Sequence, residues 1–207
     1  MLGDLTQQTY NKIAEEWHRD HCSDDWWVAG TNYLISLLPI GATVLDVGCG
    51  SGVKAKYLTN KGLKVTGLDY SEKLLEIARR ENPAIEFVQM DMREVARLDR
   101  QFDCVFAQAS LLHIPRAEVL AAIKILVEVL KPDGYFYVAV KGVREDRPEE
   151  GVKTENDYGY EYQRFFSYFR LEEIKQFFLD AGLEVVWENS SKSENCEWIQ
   201  VIGKKRI

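Results

Sequence analysis

The segment Val44-Leu45-Asp46-Val47-Gly48-Cys49-Gly50-Ser51-Gly52 joins a short apolar run to glycines at alternate positions. The run from Thr43 to Val47 is too short for a helix and is ended by glycine, so it predicts a buried strand. The glycines allow a tight turn and let the backbone approach a ligand without clashes of Cβ atoms. A helix from Val53 to Asn60 is predicted next, and its first turn offers unpaired N–H groups. The segment therefore predicts the strand, turn and helix of a ligand-binding α/β sheet.

The rest of the chain continues this alternation in both directions. Further strands are predicted at Lys64 to Leu68, Ile85 to Gln89, Phe102 to Ala107, Tyr135 to Val140, Leu183 to Trp187 and Trp198 to Gly203, the last two joined by a loop from Asn189 to Asn195. Helices are predicted at Tyr10 to Trp17, Trp27 to Leu38, Glu72 to Arg80, Glu118 to Leu130 and around Leu171 to Ala181. The pattern predicts a doubly wound, Rossmann-like α/β fold whose mainly parallel sheet is covered on both faces. Ligands of such sheets bind outside the carboxyl ends of the strands, at the topological switch point.

Acidic residues stand at the ends of the two strands that follow the glycine turn. Asp69 ends the second strand, where a carboxylate accepts hydrogen bonds from ribose hydroxyls in dinucleotide-binding sheets. Asp91 and Met92 follow the third strand, where a carboxylate and a backbone N–H match the edge of an adenine ring. The alternative for Asp91 is the N-cap of a short helix around Arg93 to Ala96. The glycine turn and Asp69 together favour a nucleoside ligand over a purely structural turn.

The composition narrows the class of protein and of partner. With 207 residues, 46% hydrophobic and 29% charged, the chain is typical of one globular domain. The formal net charge of −7 disfavours a basic nucleic-acid-binding face. Residues 1–8 lack the pattern of a secretory signal, no apolar run is long enough to span a bilayer, and the 4 cysteines form no CxxC pair. We therefore expect a cytoplasmic protein, monomeric or homodimeric, with no membrane or nucleic-acid partner.

Five segments, in chain order, resemble the motifs of class I S-adenosylmethionine-dependent methyltransferases. They are Val44 to Gly52, Thr66-Gly67-Leu68-Asp69-Tyr70-Ser71, Phe87 to Met92, Phe102-Asp103-Cys104-Val105-Phe106 and Leu130-Lys131-Pro132-Asp133-Gly134-Tyr135. The resemblance extends over about residues 8 to 204, and five motifs in the right order are specific for the fold and the cofactor. It implies a seven-stranded sheet whose last strand, Trp198 to Gly203, is antiparallel to the rest. It also implies S-adenosyl-L-methionine as cofactor, with S-adenosyl-L-homocysteine as its product.

The resemblance assigns residues to the methionine end of the cofactor. It implies that Gly48 and Gly50 lie beneath this end and that Asp46 orients its amino group. The backbone around Gln108 would meet the same amino group. The N-terminal segment resembles the helix that closes over the cofactor in small-molecule members, where Tyr10 either touches the cofactor or only packs.

The resemblance also assigns the nucleoside end. Asp69 would hold the ribose, and Tyr70 would pack on the adenine. Asp91 and Met92 would read the adenine edge.

The reaction implied is transfer of the methyl group to an O, N, S or C nucleophile of a small molecule. The cofactor carries the reactive group, so the protein mainly supplies position and exclusion of water. His113 is the candidate general base because its loop would border the methyl donor. The other role for His113 is packing, since relatives often carry a histidine near this point. No metal is expected.

The chain is expected to form one methyltransferase domain with four parts. These are an N-terminal helical lid (1–40), a cofactor-binding core (41–140), a substrate-side insertion (141–169) and the C-terminal helix and strands (170–207). The insertion is expected to carry acceptor specificity, with Tyr158, Tyr160 and Tyr162 forming either a pocket wall or ordinary core. Core positions are favoured for Phe165, Phe166 and Phe169.

Four other functions share some of these features. A nicotinamide-dependent dehydrogenase is disfavoured because Val53 stands where the dinucleotide fingerprint has its last glycine. Propylamine transfer is disfavoured because Gln108 to Ser110 are not acidic. A non-catalytic sensor that binds S-adenosylmethionine stays open. Nucleic-acid methylation is disfavoured by the absence of an Asn/Asp-Pro-Pro-aromatic motif and of a Pro-Cys pair.

Overall fold

The computed structural model describes residues 2–192 and 196–206 of the chain. Within these residues the strands are β1 (Thr43–Val47), β2 (Lys64–Asp69), β3 (Glu86–Gln89), β4 (Phe102–Gln108), β5 (Leu130–Lys141), β6 (Glu150–Glu155), β7 (Tyr162–Ser167), β8 (Leu183–Lys192) and β9 (Glu197–Lys205). The α-helices are α1 (Leu2–Lys12), α2 (Ala14–His21), α3 (Val28–Leu37), α4 (Val53–Asn60), α5 (Glu72–Glu81), α6 (Arg116–Glu128) and α7 (Leu171–Asp180). Two 3-10 helices, Met92–Leu98 and Leu111–His113, follow β3 and β4.

Seven strands form one sheet in the order β3-β2-β1-β4-β5-β9-β8. Strands β1 to β5 pair in parallel, whereas β9 is antiparallel to both of its neighbours, β5 and β8. The predicted doubly wound α/β fold with an antiparallel last strand is confirmed. Because the chain order reverses between β1 and β4, the carboxyl ends of these two strands flank the switch point.

Adjacent side chains of each central strand enter opposite cores. Leu45, Val105 and Phe136 are fully buried on one face, against α6 and α7. Val44 and Phe106 are fully buried on the other, against α3, α4 and α5. Burial of such a side chain contributes roughly 1.5 to 3 kcal/mol, so the two cores fix the positions of the strand ends.

The N-terminal helix differs from its prediction. A single helix from Tyr10 to Trp17 was expected, but the structure has two helices, α1 and α2, that meet at Ile13. Ile13 has φ −101° and ψ 11° and is fully buried. The bend lets α1 contact both β7 and α5 while α2 also contacts α5. Tertiary packing therefore overrides the continuous helical pattern.

Two predicted boundaries are also wrong. The expected loop from Asn189 to Asn195 is partly strand, because β8 pairs with β9 as far as Lys192 opposite Glu197; residues 193–195 lie outside the described part. The helix predicted to end at Leu130 ends at Glu128, and Leu130 already pairs with Phe102 at the start of β5. In both cases, backbone pairing with a neighbouring strand extends the strand, β8 or β5, beyond its apolar residues.

The segment expected to be irregular, 141–169, contains a hairpin. Strands β6 and β7 pair antiparallel and form a small second sheet. Phe165, Phe166 and Phe169 are buried, which confirms their predicted core positions. The hydroxyl of Thr9 donates to the carbonyl of Gln163 at 2.5 Å, so the hairpin supports α1. In the part of the chain that the structure describes, every helix is too short or too polar to cross a bilayer.

Candidate functional site

A cavity of about 470 Å³ opens at the carboxyl ends of β1, β2 and β4 and is covered by α1. Its volume is in the range of small-molecule and cofactor sites. All ten residues that the sequence singles out line it: Tyr10, Asp46, Gly48, Gly50, Asp69, Tyr70, Asp91, Met92, Gln108 and His113. The fold therefore brings together every predicted site residue.

The glycine turn is shaped by a close approach to the chain after β4. Gly48 has φ +70°, and a Cβ atom built on it would lie 2.4 Å from Cβ of Ser110. Gly50 also has a positive φ, +55°, and packs under the ring of Trp17. Any larger residue at position 48 would be strained and would push Ser110 away, so glycine is required for the floor of the cavity.

Asp69 joins the glycine turn to the start of α5. Its Oδ2 accepts from the backbone N–H of Gly50 at 2.8 Å, and its Oδ1 accepts from that of Ser71 at 2.8 Å. Burial raises the pKa of Asp69, and the backbone donors oppose this rise. Each carboxylate oxygen retains a second acceptor position, so two further donors, such as ribose hydroxyls, fit this group.

Four side chains that line the cavity carry buried polar atoms without a hydrogen-bond partner among the described residues. They are Thr6 through Oγ1, Asp46 through Oδ2, Gln108 through both amide atoms, and Ser110 through its hydroxyl. Burial raises the pKa of Asp46 to about 7, while the charge of Lys54 opposes the rise. Unsatisfied buried polar groups each cost free energy, so their grouping around one cavity indicates a place for a polar ligand.

Lys54 lines the same cavity from the first turn of α4. Burial lowers the pKa of its ammonium group, and Asp46 and Asp24 oppose this shift. Its Nζ lies 6.0 Å from the ring centre of Trp17 and 5.6 Å from that of Trp27. Among the described residues, this ammonium makes no hydrogen bond and no ion pair.

Asp91 is the N-cap of the 3-10 helix that follows β3. Its Oδ1 accepts from the backbone N–H of Arg93 at 2.9 Å, and the Arg93 guanidinium lies 2.6 Å from Oδ2. Burial raises the pKa of Asp91, but the hydrogen bonds and charge of Arg93 outweigh it and lower the pKa. Arg93 also pairs with Glu118 at 3.0 Å. Of the two roles predicted for Asp91, the capping role is confirmed.

A chain of hydrogen bonds runs from the hairpin to the cavity wall. Nε of Arg164 donates to Glu155 at 2.7 Å, and Nη1 of Arg164 donates to the hydroxyl of Tyr10 at 3.1 Å. That hydroxyl lies 3.0 Å from Nε2 of His113, whose Nδ1 lies 2.7 Å from the carbonyl oxygen of Phe165. Because a carbonyl only accepts, Nδ1 carries the proton and Tyr10 donates to Nε2. Burial lowers the pKa of His113 to about 3, so the ring is neutral.

The aromatic residues of the hairpin do not wall the cavity. Within the described lining, none of the tyrosines considered for this role, Tyr158, Tyr160 and Tyr162, takes part. Tyr162 is buried, and its ring stacks on that of Tyr158 at 5.4 Å. The rings of Tyr158 and Tyr162 therefore pack within the hairpin. The hairpin reaches the cavity instead through Arg164, which donates to Tyr10, and through the carbonyl of Phe165, which accepts from His113.

Several lining residues were missed in the sequence. Trp17, Lys54, Arg93 and Ser110 all face the cavity. Trp17 follows Tyr10 by two helical turns, a spacing that places both side chains on one side of a helix. This spacing in the sequence could have indicated that Trp17 lies near the site. Lys54 and Arg93 carry no local signal, because charged residues early in a helix are usually solvated.

The sheet order and the site together define a Rossmann-like α/β protein with a cavity at the switch point of its sheet. Residues 44–134 match the family model described as "Methyltransferase domain". The chain is 36% identical over 113 residues to a fatty-acid O-methyltransferase of Mycolicibacterium smegmatis, covering 53% of this chain and 40% of that protein. It is 32% identical over 104 residues to a ubiquinone biosynthesis O-methyltransferase of Pseudomonas paraeruginosa, covering 48% of this chain and 44% of that protein. The chain thus spans less than half the length of these curated relatives.

A solved structure matches nearly the whole chain. It is the 1,6-didemethyltoxoflavin-N1-methyltransferase of Burkholderia thailandensis, with a TM-score of 0.76, 18% identity, and coverage of 99% of this chain and 89% of that one. This likeness establishes the shared fold. The family model covers residues 44–134, and the curated relatives that match the chain are named as methyltransferases.

The described residues fit S-adenosylmethionine, the cofactor that the sequence motifs imply. The unpartnered polar atoms of Asp46, Gln108 and Ser110 offer donors and acceptors to an amino-acid end. Asp69 retains acceptor positions for a ribose, and Gly48 leaves room that a Cβ atom would fill. No group of three or more ligating His, Cys, Asp or Glu side chains occurs in the described part of the chain.

Proposed function

We propose that this protein transfers a methyl group from S-adenosylmethionine to a small molecule. The observation that carries the proposal is the set of unpartnered polar atoms, on Asp46, Gln108 and Ser110, around a cavity at the switch point of a methyltransferase-type sheet. The bound cofactor supplies the methyl group on a sulfonium centre. The protein contributes orientation, exclusion of water and selection of the acceptor.

The nucleoside end of the cofactor is proposed to lie between β2 and β3. Asp69 accepts from the ribose hydroxyls, Tyr70 packs on the adenine, and the N–H of Met92 donates to a ring nitrogen. Asp91 already holds Arg93, so an adenine amine shares its carboxylate with that guanidinium. This sharing favours a positioning role for Asp91 over recognition of adenine by Asp91 alone.

Helix α1 is proposed to act as the lid of the site. Oδ1 of Asn11 accepts from the hydroxyl of Ser71 at 2.7 Å, and Nε2 of Gln7 donates to the carbonyl of Tyr70 at 2.8 Å. These bonds attach the lid to the β2–α5 connection, next to Asp69. Cofactor exchange then requires them to open, and closure excludes water from the reacting centre.

On the acceptor side we propose that Tyr10 and His113 position the acceptor. The lone pair of Nε2 is already engaged by the Tyr10 hydroxyl, and burial disfavours a charged imidazole. Both facts weaken His113 as a general base. The hairpin, predicted to be the substrate-side part of the domain, acts through Arg164, which holds the Tyr10 hydroxyl from the other side.

The proposed acceptor is a small molecule that presents an O, N, S or C nucleophile. The net charge of −7 supports an acceptor other than nucleic acid. A cytoplasmic location and a monomeric or homodimeric state remain part of the proposal.

The test is calorimetric titration of the purified protein with S-adenosylmethionine, S-adenosylhomocysteine and NAD, followed by a screen for transfer of a labelled methyl group to small acceptors. Binding of the first two and labelling of an acceptor are expected. Binding of NAD alone would refute the proposal. Tight cofactor binding without transfer to any acceptor would favour the sensor instead.

A further inference from the structure

An ammonium group lies beside the site at the carboxyl end of β5. Lys141 is the last residue of β5, which pairs with β4, and Gln108 at the end of β4 lines the cavity. Nζ of Lys141 lies 4.5 Å from the ring centre of Phe166 and 5.7 Å from that of Trp198. Within the part of the chain that the structure describes, this ammonium makes no hydrogen bond and no ion pair. Lys141 therefore places a partly buried positive charge, without a counter-ion among those residues, next to the cavity.

The ring of Phe166 connects this charge to the proposed acceptor side. Its centre lies 5.0 Å from the ring centre of His113, which lines the cavity, and 5.0 Å from Cζ of Arg164. Two cations, Lys141 and Arg164, therefore contact one ring beside His113. Lys141 itself stands outside the described lining, so a ligand that reaches it extends from the cavity along the end of β5.

The nearby carboxylate does not balance these cations. Glu155 lies 2.7 Å from Arg164 and 2.8 Å from Lys153, so two cations already share its charge. Burial is the main cause that lowers the pKa of Lys141, and the charges of Arg164 and Lys153 lower it further. Cys196 and Glu155 oppose this shift. An ammonium in such surroundings is stabilised by an anion, and in a chain of net charge −7 the excess of positive charge is a local feature.

A second observation concerns the proton balance of the reaction. Nε2 of His113 already accepts from the hydroxyl of Tyr10, and burial lowers the pKa of the ring to about 3. His113 is therefore poorly suited to take a proton from an acceptor. An acceptor that is already an anion at neutral pH needs no base. A carboxylic acid, with a pKa of about 4, has this property.

We propose that the methyl acceptor is a small carboxylic acid, bound as its carboxylate by Lys141 and methylated on a carboxylate oxygen. This inference rests on the proposed function and deepens it by naming the substrate class. The carboxylate oxygen forms a bond to the methyl carbon while the bond from that carbon to sulfur breaks, and the electron pair of the broken bond stays on sulfur. The charges of the carboxylate and the sulfonium are both neutralised, and no proton moves. The methyl ester that forms no longer pairs with Lys141, which favours its release.

The first measurement uses acetate as a probe of the carboxylate site. Thermal unfolding is followed for the protein saturated with S-adenosylhomocysteine, with sodium acetate, acetamide or sodium chloride at equal concentration. Acetate should raise the melting temperature of the wild type more than the other two and should have no such effect on Lys141→Met. Lys153→Met is the matched control and should respond like the wild type, because Lys153 is an exposed lysine beside the same Glu155. The same response to acetate in the wild type and in Lys141→Met, or none in either, would overturn the inference.

The second measurement examines the methylated product. An acceptor labelled from S-adenosylmethionine should release its label as methanol in alkali, because methyl esters hydrolyse there whereas methyl ethers, methylamines and methyl thioethers do not. Lys141→Met should lower transfer to that acceptor about 10- to 100-fold, as for loss of a charged hydrogen bond, and should change S-adenosylhomocysteine affinity by less than about twofold. Its melting temperature without ligand should not fall, since the ammonium has no counter-ion to lose. Lys141→Arg keeps the charge and should retain more transfer than Lys141→Met.

These results separate the inference from the proposed function. Label that stays on the acceptor in alkali refutes the carboxylate acceptor, while methyl transfer to a small molecule stands. Transfer by Lys141→Met at the rate of the wild type refutes the role of Lys141 and the inference with it. If the wild type does not bind S-adenosylhomocysteine, or binds it and methylates no acceptor, both proposals are refuted.

Discussion

The hydroxyl of Tyr10, on the N-terminal helix α1, lies 3.0 Å from Nε2 of His113, in the 3-10 helix after β4. The two residues are 103 positions apart in the chain, and their rings meet edge to face with centres 5.4 Å apart. This contact connects α1, the proposed lid, to the strand end that borders the proposed methyl donor.

Coupling between these two residues is the first prediction. Tyr10→Phe and His113→Gln should each lower methyl transfer, because each removes the group that positions the other. The turnover of the double variant should be no lower than that of the less active single variant, since substitutions within one hydrogen-bonded unit have non-additive effects. Turnover and cofactor affinity of all three variants are the measurements. A turnover loss in the double variant equal to the product of both single losses would contradict the coupling.

The pH dependence of stability gives a second prediction for His113. Its pKa is about 3 in the folded protein and 6.5 in the unfolded chain, so the folded state resists protonation. Its contribution to stability is therefore present above pH 6.5 and is lost as the pH falls from 6.5 towards 3. Between pH 7 and pH 5 the melting temperature of the wild type should fall relative to that of His113→Gln. Parallel curves for the two proteins would exclude a buried neutral histidine.

Asp46 provides a third prediction, with the opposite sign. Its pKa rises from 3.8 in the unfolded chain to about 7 in the folded protein. The folded state binds the proton more tightly, so this group reduces stability increasingly as the pH rises from 4 to 7. Ligand-free Asp46→Asn should therefore be more stable than the wild type at pH 8, by on the order of 1 to 4 kcal/mol. The difference should vanish near pH 4, and denaturant unfolding at both pH values checks it.

The cofactor binding of Asp46→Asn is the control for that measurement. The variant should bind S-adenosylhomocysteine more weakly although it is more stable, because the buried carboxylate of Asp46 destabilises the ligand-free protein but contributes to ligand binding. A variant that is less stable than the wild type at pH 8 would argue against a desolvated carboxyl at this position.

The fourth prediction concerns Asp69. Asp69→Ala should weaken S-adenosylmethionine binding by on the order of 2 to 4 kcal/mol, since two ribose hydroxyls lose a charged acceptor. The fold should persist, but with a lower melting temperature, because the N–H groups of Gly50 and Ser71 also lose their acceptor. Calorimetry and thermal unfolding measure the two effects. Unchanged cofactor affinity would remove the ribose assignment.

The buried ion pair of the hairpin gives the fifth prediction. The side chains of Glu155 and Arg164 are 7% and 12% exposed and lie 2.7 Å apart. Glu155→Gln should destabilise the protein by about 1 to 3 kcal/mol, because Arg164 then keeps a buried charge without a carboxylate. Lys153→Met is the control, since Lys153 is the exposed partner of the same carboxylate. Chemical denaturation should separate the two variants, and equal stability would contradict the role of burial.

Replacing residues 142–160 by a short linker would remove most of the insertion that is expected to carry acceptor specificity, but it would also disturb this ion pair. The segment contains Glu155, so its removal also leaves Arg164 unpaired beside Tyr10. Effects on the acceptor through the hairpin are better tested at Arg164, with Arg164→Lys compared with Arg164→Met. Because it keeps the positive charge, Arg164→Lys should retain a higher turnover than Arg164→Met.

The sequence by itself determined the sheet and the cavity floor. Glycines at alternate positions after Val47 and an acid at Asp69 are local signals, because a left-handed turn and a strand-end carboxylate depend on residue type at one place in the chain. For the same reason the strand from Thr43 to Val47 and the helix from Val53 to Asn60 agree with the structure at both ends.

Only the tertiary structure decided which side chains share the site from distant elements. The bend at Ile13, the contact of Tyr10 with His113 and the separation of Lys54 from Asp46 all depend on packing between residues far apart in the chain or on opposite sides of a turn. Likewise, the segment that the sequence predicts to be irregular forms the paired strands β6 and β7. The periodicity of apolar residues predicts which face of a helix or strand is buried. Hydrogen-bond partners and the distances between charged groups are set only when the sheet brings separate strand ends together.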